Sequence, residues 1–115
     1  MGIDASARLE EAHEQVAGIA RNTAELIGLG RDLRDDEIVV LGGWAGDHYG
    51  IPVASTMDAI RLTGSLESMI IDPMYEGESM VALTDLVRNG DIPAESNVLY
   101  AHFGRLDSYG ALFAT

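Results

Sequence analysis

The sequence predicts an α/β fold: part of a parallel sheet with helices laid against it. Three observations predict it. A run of helical period over residues 7–29 precedes a continuous β-branched run, Glu37-Ile38-Val39-Val40-Leu41. Two further helical patterns, over 55–68 and 78–88, precede another apolar run, Asn97-Val98-Leu99-Tyr100-Ala101. Glycines stand where the first and third of these helical runs should stop, at Gly28, Gly30 and Gly90. Alternation of this kind belongs to parallel α/β architecture. With only two good strands the chain cannot cover both sheet faces and both edges. Residues 1–115 are therefore expected to form a single incomplete α/β domain, one piece of a larger layer.

Each element has a local reason. Gly2-Ile3-Asp4-Ala5-Ser6 has the pattern of a strand end whose beginning is missing, and Ser6 is placed to cap the helix that follows. In that helix Leu9, Ala12, Val16, Ile19, Ala20, Thr23, Leu26 and Ile27 recur at helical spacing. Glu10, Glu11 and Glu14 load its first turns, as the helix dipole prefers, and Gly28 and Gly30 end it. The run from Glu37 to Leu41 predicts a buried strand. After it, Gly42-Gly43-Trp44-Ala45-Gly46-Asp47-His48-Tyr49-Gly50-Ile51-Pro52 cannot be regular structure. Loops at the ends of parallel strands are where α/β proteins place ligands. Ser55 and Asp58 have capping-box spacing before a second helix, whose apolar face is Ala59, Ile60, Leu62 and Leu66. The polar loop Asp72-Pro73-Met74-Tyr75-Glu76-Gly77 leads into a third helix with Met80, Leu83, Leu86 and Val87 inside, stopped by Asn89-Gly90.

Composition narrows the function classes. Nineteen acidic residues stand against seven basic ones, a net charge of -12, which repels phosphate backbones and excludes nucleic acid as an expected partner. There is no cysteine, hence no disulfide and no thiol chemistry. No apolar run approaches a membrane span and the first residues carry no targeting pattern, so no membrane partner is expected and a cytoplasmic location is. All seven basic residues are arginine. An acidic chain without lysine suits a salt-adapted cytoplasm, and a high-GC genome favours arginine equally.

Tyr75 and Glu76 are the strongest candidates for chemistry, a phenol and a carboxylate side by side where a loop meets a helix. The structural alternative is a packed tyrosine and a helix-capping glutamate. Tyr49, one helix earlier in the glycine loop, is a second phenol at the same end of the sheet, and the two could bracket a small ligand. His13, His48 and His102 lack metal-ligand spacing, so no metal is expected. There is no G-x-S-x-G elbow, G-x-G-x-x-G fingerprint or P-loop.

Several segments, in order, resemble the C-terminal part of 1-aminocyclopropane-1-carboxylate deaminase and its relative D-cysteine desulfhydrase. They are Gly2-Ile3-Asp4-Ala5-Ser6; Arg21-Asn22-Thr23-Ala24; Ala45-Gly46 with Tyr49-Gly50-Ile51-Pro52; Asp58-Ala59-Ile60-Arg61-Leu62; Asp72 to Gly77 with Ser79-Met80; Asp85-Leu86-Val87-Arg88-Asn89-Gly90; and Val98-Leu99-Tyr100-Ala101-His102. The resemblance is collinear from residue 2 to about 104. It implies the C-terminal portion of a tryptophan-synthase-β-like, fold type II enzyme dependent on pyridoxal phosphate, with a partial three-layer parallel sheet. The implied substrate is a small amino acid, 1-aminocyclopropane-1-carboxylate, opened and deaminated to 2-oxobutanoate and ammonia.

Site roles follow from the same resemblance. Tyr75 corresponds to a tyrosine at the substrate implicated in ring opening, and Tyr49 to one lining the substrate pocket. Glu76 corresponds to the carboxylate at the cofactor's pyridine nitrogen, where it keeps that nitrogen protonated. Desulfhydrase-type members tend to have a small or hydroxylated residue there, so Glu76 favours the deaminase. Phe103 and Gly104 fall on the family's cofactor-facing wall. Departures from the pattern are as informative. The family's cofactor-bearing lysine, substrate-carboxylate residues and phosphate loop lie in segments that this chain does not match, and the chain has no lysine at all. Glu78 stands where the family usually has lysine. Phe103-Gly104-Arg105-Leu106-Asp107 replaces the family's x-Gly-Gly-x-Pro-Ala-Leu-Asn continuation. The expectation is thus a piece of such an enzyme, inactive alone, completed by a missing N-terminal half or associating as a homo-oligomer. The alternatives are a desulfhydrase piece and a decayed, non-catalytic α/β module.

Overall fold

The computed structural model describes residues 1–45 and 53–103. Contacts divide the chain into two compact units, Met1–Ala45 and Gly46–Thr115. The expected strand at Asn97–Ala101, the loop residues 46–52 and the tail from 104 onward are therefore judged separately: the first is described, while the other two, with the site candidates Tyr49 and Gly104, lie outside the described residues.

In the first unit, strand β1 (Gly2–Ile3) pairs in parallel with β2 (Val40–Leu41), with Gly2 opposite Val40 and Ile3 opposite Leu41. The ladder closes through Gly2 N–H to the Val39 carbonyl at 2.8 Å and Asp4 N–H to the Leu41 carbonyl at 2.7 Å. The expected strand over 37–41 shortens to two residues because a ladder extends only as far as its partner. Glu37 instead ends a 3-10 turn, Asp35–Glu37. Its carboxylate accepts the Arg34 N–H and both guanidinium nitrogens of Arg31, each at 2.9 Å.

Helix α1 (Leu9–Leu26) crosses between the two strands. Asp4, buried, accepts the Ser6 N–H and hydroxyl at 2.9 and 2.6 Å. That bond draws Ser6 into an Asx turn. The helix then starts at Leu9 behind Arg8, which makes no side-chain cap, so Ser6 is not the helix cap. The far end follows expectation: Gly28 (φ 66°) sits in the left-handed region, with Leu29 N–H on the Ala24 carbonyl and Gly28 N–H on that of Glu25.

The buried stripe of α1 is small: Ala17 and Ala24 are buried, and Ile38 is the buried apolar residue of the segment leading into β2. Val16, Ile19, Leu26 and Ile27, expected inside, are exposed. Alanines permit close approach, whereas the large apolar residues occupy a second face. The helix is apolar on more of its circumference than this unit covers.

In the second unit, helix α2 (Ala54–Glu67) packs on α3 (Glu76–Arg88). Ala59, Ile71, Val81, Ala82 and Leu86 form the core, with Thr56 and Pro73 fully buried among them. Val53, not Ser55, precedes α2, and Asp58 pairs with Arg61 instead of completing a capping box. Leu62, Leu66 and Val87 are exposed. Residues 97–101 form no strand: strand structure needs a neighbour to take the ladder bonds, and no described segment supplies one. Leu99 is 97% exposed in consequence. No described helix is long and apolar enough to cross a membrane.

The Arg31 pairing holds the Glu37 carboxyl down to about 2 from its ordinary 4.5. A lowered native value favours folding above the ordinary carboxylate range, a contribution lost as pH falls from about 4.5 towards 2. A carbon-detected NMR titration is expected to place the Glu37 midpoint near 2, and R31Q to return it towards 4.5. A wild-type midpoint already at the ordinary value would show that the bidentate pair does not form.

Candidate functional site

The candidate residues gather at the start of α3. Ile71 and Asp72 enter it almost fully buried, at 0% and 1% exposure. Burying a carboxylate costs several kcal/mol unless donors replace its water. Here they do: Asp72 Oδ1 accepts the N–H groups of Met74 (2.9 Å) and Tyr75 (2.7 Å), and Oδ2 that of Glu76 (3.2 Å). The Asp72 carbonyl accepts the Gly77 N–H at 2.8 Å. One residue thus satisfies the amide of the preceding turn at Met74 and those of Tyr75, Glu76 and Gly77, which the start of α3 leaves without intrahelical partners. The helix dipole favours the same negative charge.

This arrangement bears on the capping alternative for Glu76. A capping glutamate was the structural alternative at the sequence level, but Asp72 occupies that role and leaves the Glu76 carboxylate for other partners. Glu76 is 6% exposed. Its Oε2 lies 2.8 Å from His102 Nδ1 and its Oε1 accepts the Phe103 N–H at 2.5 Å. Its carbonyl accepts the Ser79 hydroxyl at 2.8 Å and the Tyr100 hydroxyl at 3.1 Å, and those two hydroxyls lie 2.5 Å apart. Burial, first of all, raises the Tyr100 phenol above its ordinary value near 10 and keeps it protonated as a donor.

Gly77 is needed for close approach. A Cβ there would meet Thr56 Cγ2 at 2.5 Å and the Asp72 carbonyl at 3.1 Å. The glycine lets α3 start directly against α2 with the Asp72 turn wrapped over it.

The expected pair, Tyr75 and Glu76, is thus brought to one helix start with divergent surroundings: Tyr75 is 42% exposed, whereas Glu76 is buried. Phe103 joins them, but through its backbone N–H; its side chain is 83% exposed. Three participants escaped sequence reasoning. Asp72 shows the spacing of a cap only once Tyr75 and Glu76 are known to begin the helix. Tyr100 falls within the apolar run 97–101 that predicts a strand, and His102 follows it as a candidate for a metal ligand only, so the sequence places neither on Glu76. Among the described residues no group of His, Asp and Glu has the arrangement of a metal site. Chemically, the cluster is a buried carboxylate whose two oxygens both face N–H donors, next to a half-exposed phenol. Such a carboxylate is an acceptor suited to a cationic N–H group.

Comparison with known proteins gives one consistent result. The chain is 53% identical over 98% of its length to a 1-aminocyclopropane-1-carboxylate deaminase of Methylobacterium nodulans, covering 34% of that protein. Against the deaminase of Ralstonia nicotianae the figures are 47%, 98% and 34%. Against that of a Bradyrhizobium species they are 54%, 90% and 31%. The chain spans about a third of the length of these curated relatives. No family model matches it.

Two substitutions test the construction of the helix start. D72A is expected to lower stability by about 2 kcal/mol or more, and D72N by less because the amide oxygen still accepts. G77A is expected to cost about 1–3 kcal/mol through the Thr56 clash. Denaturant midpoints measure both. A D72A chain as stable as wild type would contradict the capping account.

Proposed function

We propose that this chain forms one wall of the active site of a 1-aminocyclopropane-1-carboxylate deaminase dependent on pyridoxal phosphate, and that it does not turn over alone. In this reading it is the C-terminal portion of a tryptophan-synthase-β-like enzyme, its short parallel sheet continuing into strands carried by the rest of that protein. The observation that carries the reading is the Asp72–Gly77 helix start, which presents Tyr75 beside the buried, doubly held Glu76 in a chain about half identical to such deaminases.

The residues present fit one part of the cofactor. An anionic acceptor at a helix start, buried and held by N–H donors, complements a protonated pyridine nitrogen, and Glu76 would hold it. When bound, the cofactor supplies an electron sink for the breaking substrate bonds. The chain's own part is narrower. Glu76 keeps a proton at the ring nitrogen. Tyr75, half exposed at the same helix start, presents its hydroxyl to the small amino-acid substrate. By the resemblance alone, Tyr49 corresponds to a pocket-lining tyrosine, and Phe103 and Gly104 to the cofactor-facing wall. The covalent anchor must come from elsewhere, since the chain has no lysine.

A glutamate at position 76, not a small or hydroxylated residue, supports the deaminase over the D-cysteine desulfhydrase. The loss of the family's Pro-Ala-Leu-Asn continuation after residue 103 is what favours the alternative of a decayed, non-catalytic module.

A hybrid distinguishes these. This chain replaces the matching third of the Methylobacterium nodulans enzyme, and ammonia release from 1-aminocyclopropane-1-carboxylate is measured. The hybrid is expected to be active and to lose at least about 100-fold with E76Q or Y75F, the scale for removing a group that acts in the transition state. Sulfide release from D-cysteine in place of ammonia would favour the desulfhydrase. A folded, inactive hybrid would favour decay, and an E76Q hybrid as active as its parent would remove Glu76 from the site.

A further inference from the structure

We propose that His102 is a positioning residue for Glu76: together with the Phe103 N–H it sets the direction from which the buried carboxylate meets a ligand's N–H donor. The inference rests on the reading of Glu76 given above. It stands on geometry that the resemblance does not supply, because His102 enters there only as part of a matching segment.

A glutamate side chain at a helix start can sweep through several rotamers, and burial alone does not choose among them. Two donors from consecutive residues do. His102 Nδ1 lies 2.8 Å from Oε2, and Phe103 N–H donates to Oε1 at 2.5 Å. An ionised carboxylate only accepts, so the first contact places the imidazole proton on Nδ1. With one donor on each oxygen, the plane of the carboxylate is set as well as its position. Both donors lie on a segment with no strand pairing among the described residues, and Tyr100 holds that segment to α3 through the Glu76 carbonyl at 3.1 Å. The His102 side chain is 32% exposed against 8% for that of Glu76, so the imidazole is the more solvent-accessible partner of the pair. A misdirected carboxylate in a buried site loses far more than one in water, where other donors are at hand.

The hybrid enzyme described above, freed of cofactor, and pyridoxine 5′-phosphate test this, because the hybrid also carries the phosphate-binding segments that this chain does not match. The probe's ring absorbance reports whether its nitrogen is protonated. H102N keeps an N–H donor near the Nδ1 position, whereas H102F keeps a ring and removes the donor. Wild type and H102N are expected to bind the probe with a protonated ring nitrogen. H102F is expected to bind on the order of tenfold more weakly, with the protonated-ring signature diminished. Equal affinity and equal ring protonation in H102F and wild type would overturn the inference. So would equal loss in H102N and H102F, which marks a packing role. Should H102F not fold, nitrogen-15 spectra of the wild-type imidazole decide: a proton on Nδ1 that E76A releases supports the inference, and a proton on Nε2 overturns it. Failure of the underlying reading looks different. There the hybrid with His102 intact binds the probe but leaves its ring unprotonated although the Nδ1 proton is in place, which removes Glu76 from the ring nitrogen and the inference with it.

Discussion

The second unit depends on a carboxylate that never reaches water. Asp72 is buried and ionisable, a combination that is unfavourable unless every lone pair finds a donor. The chain meets that demand with the amides of residues 74–76 and orients them with the Pro73 turn. Because the amides of 75 and 76 belong to the unsatisfied start of α3, one residue solves two problems, a buried charge and an open helix end. The rest follows. Gly77 must be glycine because the turn brings α3 onto Thr56. Glu76, relieved of capping, is free to direct its carboxylate at the segment carrying Tyr100, His102 and Phe103.

What results is a partial set of chemical groups. The cluster supplies an acceptor anion and a phenol, and the composition supplies no primary side-chain amine. Seven arginines cannot substitute, since a guanidinium stays protonated and does not act as an amine nucleophile. The first unit shows the same incompleteness in its packing. Helix α1 buries alanines against its short sheet and leaves Val16, Ile19, Leu26 and Ile27 exposed. A helix apolar on two faces is built for cover on two faces.

Much of this was legible in the sequence, for identifiable reasons. The three helices follow from period, and the ends of α1 and α3 from glycine stops, which are local signals: Gly28 ends α1 with the left-handed conformation that its identity suggests. The strand end at Gly2–Ile3 was likewise readable, but its parallel pairing with Val40–Leu41 was not. Strand extent was not, because it depends on a partner: residues 37–39 and 97–101 have strand composition but no described neighbour to pair with. Tyr75 and Glu76 stood out as a pair. Their opposite burial did not, since it hinges on which residue caps α3. His102 was invisible as a site residue because its partner lies 26 positions earlier in the chain.

The central claim is that the chain holds the Glu76 and Tyr75 side of a deaminase site and lacks the side that bonds the cofactor. Its most direct test is the chain by itself, given pyridoxal phosphate and 1-aminocyclopropane-1-carboxylate under conditions in which the hybrid enzyme releases ammonia. The account predicts no ammonia above the protein-free control. Sustained ammonia release from the chain alone would contradict it.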